Sequence, residues 1–157
     1  GLTRIGNGTF IMGYVHVAHD CVVEDDVVLT NLVQLAGHST VEQGAILGGR
    51  AAVAQFARVG RYAFIGTGVT VNKDILPYSI AAGDRWATLR ATNKIGLKRA
   101  GFSEKEIREI DKAVRIVRKR DITMEEAARK IRDCNMNEHI EHLLRFLKTS
   151  EKGLARA

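Results

Sequence analysis

The sequence predicts a protein that is mainly β with α: a parallel β-helix of six-residue repeats, followed by a small α-helical domain. Two periodic tracks of residues predict the β-helix, and capping patterns after residue 80 predict the helices. The first track is entirely aliphatic: Ile5, Ile11, Val17, Val23, Leu29, Leu35, Val41, Leu47, Val53, Val59, Ile65 and Val71. The second track lies two residues before each of these positions and consists of small or β-branched residues, from Thr3 to Val69.

A period of six suits neither an α-helix nor a flat strand. An α-helix turns once in about 3.6 residues, so a stripe of period six would wind around its axis. A strand alternates its faces every two residues. Six residues can instead form one side of a three-sided prism, with coils of about 18 residues stacked through parallel ladders. The tracks over about 3–76 predict four coils, with the aliphatic track inside and the small track at the tight corners.

These repeats resemble the hexapeptide repeats of left-handed β-helices, and the resemblance implies the left hand. Both tracks are in phase from Thr3 onward, and no capping segment precedes them. An open first coil would expose unpaired strand groups. We therefore expect that the N-terminal coils of a longer protein, or another chain, cover that end.

The repeat is expected to end at Pro77, which takes the next aliphatic position and cannot donate to a ladder. Residues 77–92 are predicted to be a connecting loop. The predicted domains are therefore the β-helix over 1–79 and the helical domain over 80–157.

Two capping boxes and one apolar stripe predict three helices in the second domain. Ser103 with Glu106, and Thr123 with Glu126, have the spacing of capping boxes that begin helices. An apolar stripe near 137–149 predicts the third helix.

Charge divides unevenly between the two predicted domains. Residues 1–79 contain 5 Lys/Arg and 6 Asp/Glu, whereas residues 80–157 contain 19 and 12. A basic helical domain favours an acidic partner, such as a nucleotide phosphate, an acidic carrier protein, RNA or a membrane surface, or is simply a solvated charged surface. RNA has little support, because the few aromatic residues offer no stacking platform.

No apolar run approaches the roughly 20 residues that span a bilayer, so no stable membrane insertion is expected. The sequence also opens without a signal-peptide pattern. Cys21 and Cys134 form neither a disulfide framework nor a metal-ligand spacing, which predicts a reducing, cytoplasmic setting.

The coil length predicts a cluster of polar residues on one outer patch. His19, Gly37 and Gln55 are 18 residues apart, so they should lie above one another on successive coils, and two further histidines lie nearby: His16 and His38. Imidazole is the commonest general base, and a glycine N–H can stabilise an oxyanion. Without an activated Ser or Cys beside the histidines, direct attack by a substrate hydroxyl is favoured over an acyl-enzyme.

Segments 16–21, 35–38 and 53–56, together with 96–103, resemble the UDP-N-acetylglucosamine O-acyltransferase family. The resemblance implies transfer of a 3-hydroxyacyl group from acyl carrier protein to the 3-hydroxyl of UDP-N-acetylglucosamine, the first step of lipid A synthesis. It implies that His19 is the base, that Asp20 holds its tautomer and that the Gly37 N–H stabilises the oxyanion.

The same resemblance implies further roles and a homotrimer with sites between subunits. His16, His38 and Gln55 would contact substrate, while Asn93 and Arg99 would meet nucleotide or pantetheine phosphate. Thr67 takes a position that in the family often carries glycine and helps to set the length of the acyl group. Threonine at this position predicts a shorter preferred acyl group than glycine would allow. The enzyme would need no cofactor or metal, because the acyl donor is carried on the phosphopantetheine of the carrier protein.

Three alternatives remain open at this stage. One is a related hexapeptide acyltransferase that acts on an amino- or diamino-sugar nucleotide or uses acetyl-coenzyme A. Another is a zinc hydratase in which His16, His19 and His38 supply three ligands. The last is an inactive truncated form or scaffold.

Overall fold

The N-terminal part of the chain winds into a prism whose three sides are parallel sheets. The computed structural model describes residues 1–156. The first twelve strands form the three sides, and each of the first nine pairs in parallel with the strand three places further along the chain. These strands have two residues each: β1 Arg4–Ile5, β2 Phe10–Ile11, β3 His16–Val17, β4 Val22–Val23, β5 Val28–Leu29, β6 Gln34–Leu35, β7 Thr40–Val41, β8 Ile46–Leu47, β9 Ala52–Val53, β10 Arg58–Val59, β11 Phe64–Ile65 and β12 Thr70–Val71.

The strand register confirms a coil of 18 residues. On the first side, Arg4 pairs with Val22, Val22 with Thr40, and Thr40 with Arg58. Two-residue turns separate the strands at every corner of the prism. The predicted parallel β-helix of four coils, followed by helices, is therefore confirmed.

Both periodic tracks lie inside the prism. The aliphatic residues from Val23 to Val71 are at most 2% exposed, and the small residues from Cys21 to Val69 are at most 1% exposed. The small track comes directly after each turn and points inward, so it lines the inside of the corners while other residues make the turns. In the first coil, Ile5 and Ile11 are 46% and 43% exposed.

The prediction of a loop over 77–92 is wrong, because this segment contains a hairpin. Strand β13 (Ser79–Ala82) pairs in parallel with β11, and β14 (Thr88–Thr92) pairs antiparallel with β13. One edge of β11 has backbone groups that no earlier strand pairs with. Strand β13 forms hydrogen bonds with this edge just after Pro77. Strand β13 consequently crosses the predicted domain boundary, and its Ala81 is buried with the prism interior.

Four helices follow the hairpin: α1 Lys94–Arg99, α2 Glu104–Arg118, α3 Met124–Arg132 and α4 Glu138–Lys148. Both predicted capping boxes are confirmed, at Ser103 with Glu106 and at Thr123 with Glu126. The third predicted helix is α4, whereas the six-residue α1 was not predicted. Among the described residues, none of the helices is long and apolar enough to cross a membrane.

Buried and partly buried polar side chains join the helical domain to the prism. The imidazole Nε2 of His142 in α4 lies 2.8 Å from the Glu42 carboxylate, which also accepts the backbone N–H of Arg61. Asp74, only 1% exposed, accepts a hydrogen bond from the Ser150 hydroxyl. The first contact joins α4 to the third coil, and the second holds the chain after α4 against the end of the last coil.

Candidate active site

The candidate site lies at the corner where each coil passes into the next. His19 begins the turn between β3 and β4, and Gly37 and Gln55 take the same place in the next two turns of that corner. Backbone hydrogen bonds stack these turns: the His38 N–H donates to the His19 carbonyl at 3.1 Å, and the Phe56 N–H to the Gly37 carbonyl at 3.3 Å. The structure therefore places His19, Gly37 and Gln55 on successive rungs.

The side chains at the second position of each turn form another row, beside the row of His19, Gly37 and Gln55. Asp20, His38 and Phe56 have left-handed φ angles of 59°, 60° and 64°. The His38 ring stacks on the Phe56 ring, with centroids 4.8 Å apart and planes 13° apart. It meets the His19 ring edge-on, with centroids 5.2 Å apart. Phe56 was not among the predicted site residues, although its spacing of 18 from His38 could have identified it.

His19 and Asp20 form a hydrogen-bonded dyad. The Nδ1 of His19 lies 2.9 Å from Oδ2 of Asp20, whose Oδ1 accepts the Leu2 N–H at 3.0 Å. The hydrogen bond with His19 lowers the pKa of the Asp20 carboxyl. An ionised Asp20 favours the proton on Nδ1 and leaves Nε2 as the proton acceptor. The His19 side chain is 65% exposed, so Nε2 is accessible to a substrate.

Gly37 provides space and a free N–H beside this base. A Cβ atom at Gly37 would lie 2.7 Å from Nε2 of His19, so any larger residue would displace the imidazole. Among the described residues, none accepts a hydrogen bond from the Gly37 N–H. At a neighbouring corner, by contrast, the Gln43 N–H donates to the Glu24 carboxylate. Gly37 is buried against the His19 imidazole, and its N–H is left without an acceptor in the described part of the chain.

The remaining predicted residues of this region lie around the same sheet. His16 is exposed in β3, which leads into the His19 turn, and Gln55 is exposed one rung above Gly37. Thr67 is exposed in the turn before β12, at the opposite edge of the sheet that contains β3.

Asn93 and Arg99 lie at a different corner of the prism. Both line a cavity of about 340 Å³ together with Asp26, Gly44 and Tyr62. The Asn93 side chain is occupied locally: its Oδ1 accepts an N–H of α1, and its Nδ2 donates to the Tyr62 carbonyl at 3.0 Å. Asn93 is therefore the N-cap of α1, whereas the exposed Arg99 is available to a ligand. Within one chain the structure does not bring these two residues to the His19 corner.

Two family models match the chain. Residues 74–155 match the model described as UDP N-acetylglucosamine O-acyltransferase, domain 2. Residues 2–37 match the model described as bacterial transferase hexapeptide (six repeats).

Curated relatives and solved structures agree with these models. A protein of Alkalilimnicola ehrlichii, named acyl-(acyl-carrier-protein)–UDP-N-acetylglucosamine O-acyltransferase, is 41% identical over 99% of this chain and 60% of its own length. The UDP-N-acetylglucosamine acyltransferase structure from Francisella novicida matches 98% of this chain and 56% of its own, with TM-score 0.92 and 34% identity. The Arabidopsis structure of the same name matches 97% and 56%, with TM-score 0.88 and 31% identity. The chain thus spans about 60% of the length of the relatives that it matches.

Proposed function

The chain belongs to the UDP-N-acetylglucosamine O-acyltransferase family, and on that premise we propose that it takes part in the first step of lipid A synthesis. In this reaction a 3-hydroxyacyl group passes from acyl carrier protein to the 3-hydroxyl of UDP-N-acetylglucosamine. The observation that carries the proposal is the His19–Asp20 dyad at 2.9 Å, with Gly37 directly against Nε2 of His19.

In the proposed mechanism His19 is a general base and Asp20 is the group that orients it. Nε2 of His19 takes the proton from the sugar 3-hydroxyl while that oxygen attacks the thioester carbonyl carbon. Asp20 accepts the Nδ1 hydrogen bond and stabilises the imidazolium that forms. A positioned base of this kind contributes about 10²–10⁴ in rate.

The Gly37 N–H would stabilise the oxyanion of the tetrahedral intermediate. The intermediate then collapses: the carbonyl re-forms, the carbon–sulfur bond breaks, and His19 returns the proton to the leaving pantetheine thiolate. One oxyanion donor is worth roughly 3–4 kcal/mol in comparable enzymes. No covalent acyl-enzyme and no protein-bound cofactor or metal is required by this sequence of steps.

We further propose that the working enzyme is a homotrimer with sites between subunits. Asn93 and Arg99 lie at a different corner from His19, so a neighbouring subunit would have to bring Arg99 to the bound nucleotide. Apolar side chains on the outer face of one sheet support such packing, since Phe10 and Phe64 are 58% and 38% exposed. Light scattering coupled to size-exclusion chromatography tests the trimer directly.

The proposed donor partner is acyl carrier protein, and the proposed location is the cytoplasm. The basic residues of 80–157 would attract an acidic carrier electrostatically, so the apparent affinity should fall as salt increases. Within this proposal His16, His38 and Gln55 contact the sugar, phosphate or acyl chain.

The decisive test measures transfer from 3-hydroxyacyl carrier protein to UDP-N-acetylglucosamine by wild type and His19→Ala. The assay should include the chain extended at its N-terminus by the coils of a relative, because this chain spans only part of its relatives' length. We expect His19→Ala to lose about 10²–10⁴ of the rate with an unchanged thermal transition, because the side chain is exposed. Substantial residual activity would remove His19 as the base.

The same assay distinguishes O-acylation from N-acylation. UDP-N-acetylglucosamine and its 3-amino analogue should be compared as acceptors at equal concentration. Product from the hydroxyl acceptor supports the proposal, and product from the amine alone would assign the chain to the amino-sugar variant. The absence of product from every acceptor would favour a non-catalytic role.

A further inference from the structure

The candidate site gathers three potential metal ligands, and they differ from the set in the zinc alternative. His19, Asp20 and His38 each offer one ligand atom, and these atoms lie within 4.8 Å of one another. Nδ1 of His19 is 2.9 Å from Oδ2 of Asp20, and Nε2 of His38 is 3.7 Å from the same oxygen. His16 does not belong to this group, whereas the adjacent carboxylate does.

We propose that His19, Asp20 and His38 bind a divalent transition-metal ion, with Zn²⁺ as the representative, and that the bound ion inhibits the enzyme. Two imidazole nitrogens and one carboxylate oxygen suit zinc, cobalt or nickel better than magnesium or calcium. Zinc bonds to such atoms measure about 2.0–2.2 Å, which places tetrahedral ligand atoms about 3.3–3.6 Å apart. Two of the three separations, at 2.9 and 3.7 Å, lie close to this range, and the third is at most 4.8 Å.

The surroundings allow both entry of the ion and adjustment of its ligands. The side chains of His19 and His38 are 65% and 43% exposed, so small movements of either ring are unobstructed by a packed core. Water can reach the ion and fill the fourth position. Among the described residues, this is the one group of three or more His, Cys, Asp or Glu side chains with converging ligand atoms.

The location of the ion explains why it would inhibit. A metal on Nδ1 of His19 replaces the proton that this nitrogen shares with Asp20. The single N–H proton of the neutral imidazole moves to Nε2, the nitrogen that faces Gly37. Nε2 consequently becomes a hydrogen-bond donor and cannot accept the proton of the substrate hydroxyl. This inhibition rests on the proposed function, whereas binding of the metal does not.

Cobalt binding tests the site without any turnover. Co²⁺ should be titrated into the protein carrying Cys134→Ser, which removes the partly exposed thiol of the helical domain. We expect one equivalent with visible d–d absorption, and an affinity at least about tenfold lower in Asp20→Asn and in His38→Ala. His16→Ala is the matched control and should bind as the parent does. Equal affinity in the parent, Asp20→Asn and His38→Ala would overturn the site.

Inhibition is then measured as transfer activity against Zn²⁺ concentration, with reversal by a chelator. We expect full inhibition at saturation and an inhibition constant at least about tenfold higher in His38→Ala. Undiminished transfer by the metal-saturated enzyme would overturn the inhibitory role. If the metal-free enzyme transfers no acyl group, the proposed function fails, and the cobalt titration alone decides the metal site.

Discussion

A Cβ atom on Gly37 would lie 2.6 Å from Cε1 and 2.7 Å from Nε2 of His19. The backbone of Gly37 does not have the left-handed φ that favours glycine. The requirement for glycine is therefore one of space: the imidazole of one coil occupies the volume that a side chain on the next coil would fill. Gly37 thus positions the base as well as offering its N–H.

Gly37→Ala should displace the His19 ring without straining the backbone. We expect a loss of activity on the order of 10²-fold, the usual cost of a misplacement near 1 Å. Gly49→Ala is the matched control, because a Cβ there meets its nearest atom at an ordinary 3.5 Å. Steady-state transfer kinetics and thermal denaturation of both variants measure the effect. Full activity of Gly37→Ala would show that the ring does not need this space.

Phe56→Leu should loosen the His38 ring that stacks on it. Aromatic stacking contributes about 0.5–1.5 kcal/mol, so we expect kcat/KM to fall about 2- to 10-fold. Phe56→Tyr keeps an aromatic ring at this position and should therefore keep the wild-type rate. The NMR signals of the His38 ring protons should shift when the Phe56 ring current is removed. Tyr14→Leu, which removes an 86% exposed ring at a second turn position of another corner, is the control. Unchanged His38 signals in Phe56→Leu would contradict the stacking.

Thr67→Gly should extend the range of acyl chains that the enzyme accepts. Each methylene group accommodated in an apolar site is worth about 1–3 kcal/mol. We therefore expect the ratio of kcat/KM for long over short 3-hydroxyacyl donors to rise about tenfold or more. Asn31→Gly, at the same corner two coils earlier, is the control. Equal turnover of the longest donors by wild type and Thr67→Gly would refute the role of Thr67 in acyl length.

Leu47→Ala should destabilise the prism, because Leu47 is completely buried between two neighbouring coils. Emptying such a position costs about 2–5 kcal/mol of unfolding free energy. Leu2→Ala removes the same atoms from a side chain that is 67% exposed, and should change stability by less than about 0.5 kcal/mol. Urea denaturation of both variants provides the measurement, and equal stabilities would contradict the assigned phase of the repeat.

Acid should weaken α2 through its capping box. The Ser103 N–H donates to Glu106, and this hydrogen bond lowers the pKa of the Glu106 carboxyl below its usual 4.5. The resulting stabilisation is complete above that value and is lost as the pH falls through the lowered pKa. Glu106→Gln keeps an acceptor that does not titrate, so its unfolding free energy should fall less on acidification than that of wild type.

The control for this pH effect is Glu104→Gln. Glu104 lies in the first turn of the same helix, but its carboxylate does not cap the helix and is 70% exposed. The variant should therefore keep the acid sensitivity of wild type. Urea denaturation from neutral to acid pH compares the three proteins, and parallel curves for the two variants would exclude the capping carboxylate as the cause.

The repeat made most of the fold predictable, since a period of six fixes both the strands and their inward faces. The hairpin of β13 and β14 was missed because its strands follow no repeat and depend on the free edge of β11. The capping signal at Asn93 was available in the sequence, and it would have predicted α1. The contact between Glu42 and His142 joins residues 100 positions apart, which no local pattern reports.

The sequence predicted those features of the site that depend only on the length of the coil. Stacking of His19, Gly37 and Gln55 follows from a spacing of 18 residues. Spacing alone does not predict which side chains at the second turn positions contact one another, because their directions depend on the left-handed φ of those residues. The place of Phe56 one coil beyond His38 follows from their spacing of 18, whereas the stacking of the two rings, and the reach of Asp20 to His38 as well as to His19, were visible only in three dimensions.

The constant length of the coil restricts how this region can change during evolution. An insertion or deletion of one residue between His19 and Gly37 would move the glycine away from the imidazole and turn inward side chains outward. Loss of a whole coil at that place would preserve the prism, yet it would put Gln55 where Gly37 now lies. Length variation among homologues should therefore be confined to whole coils outside residues 19–55, while these turns keep their spacing.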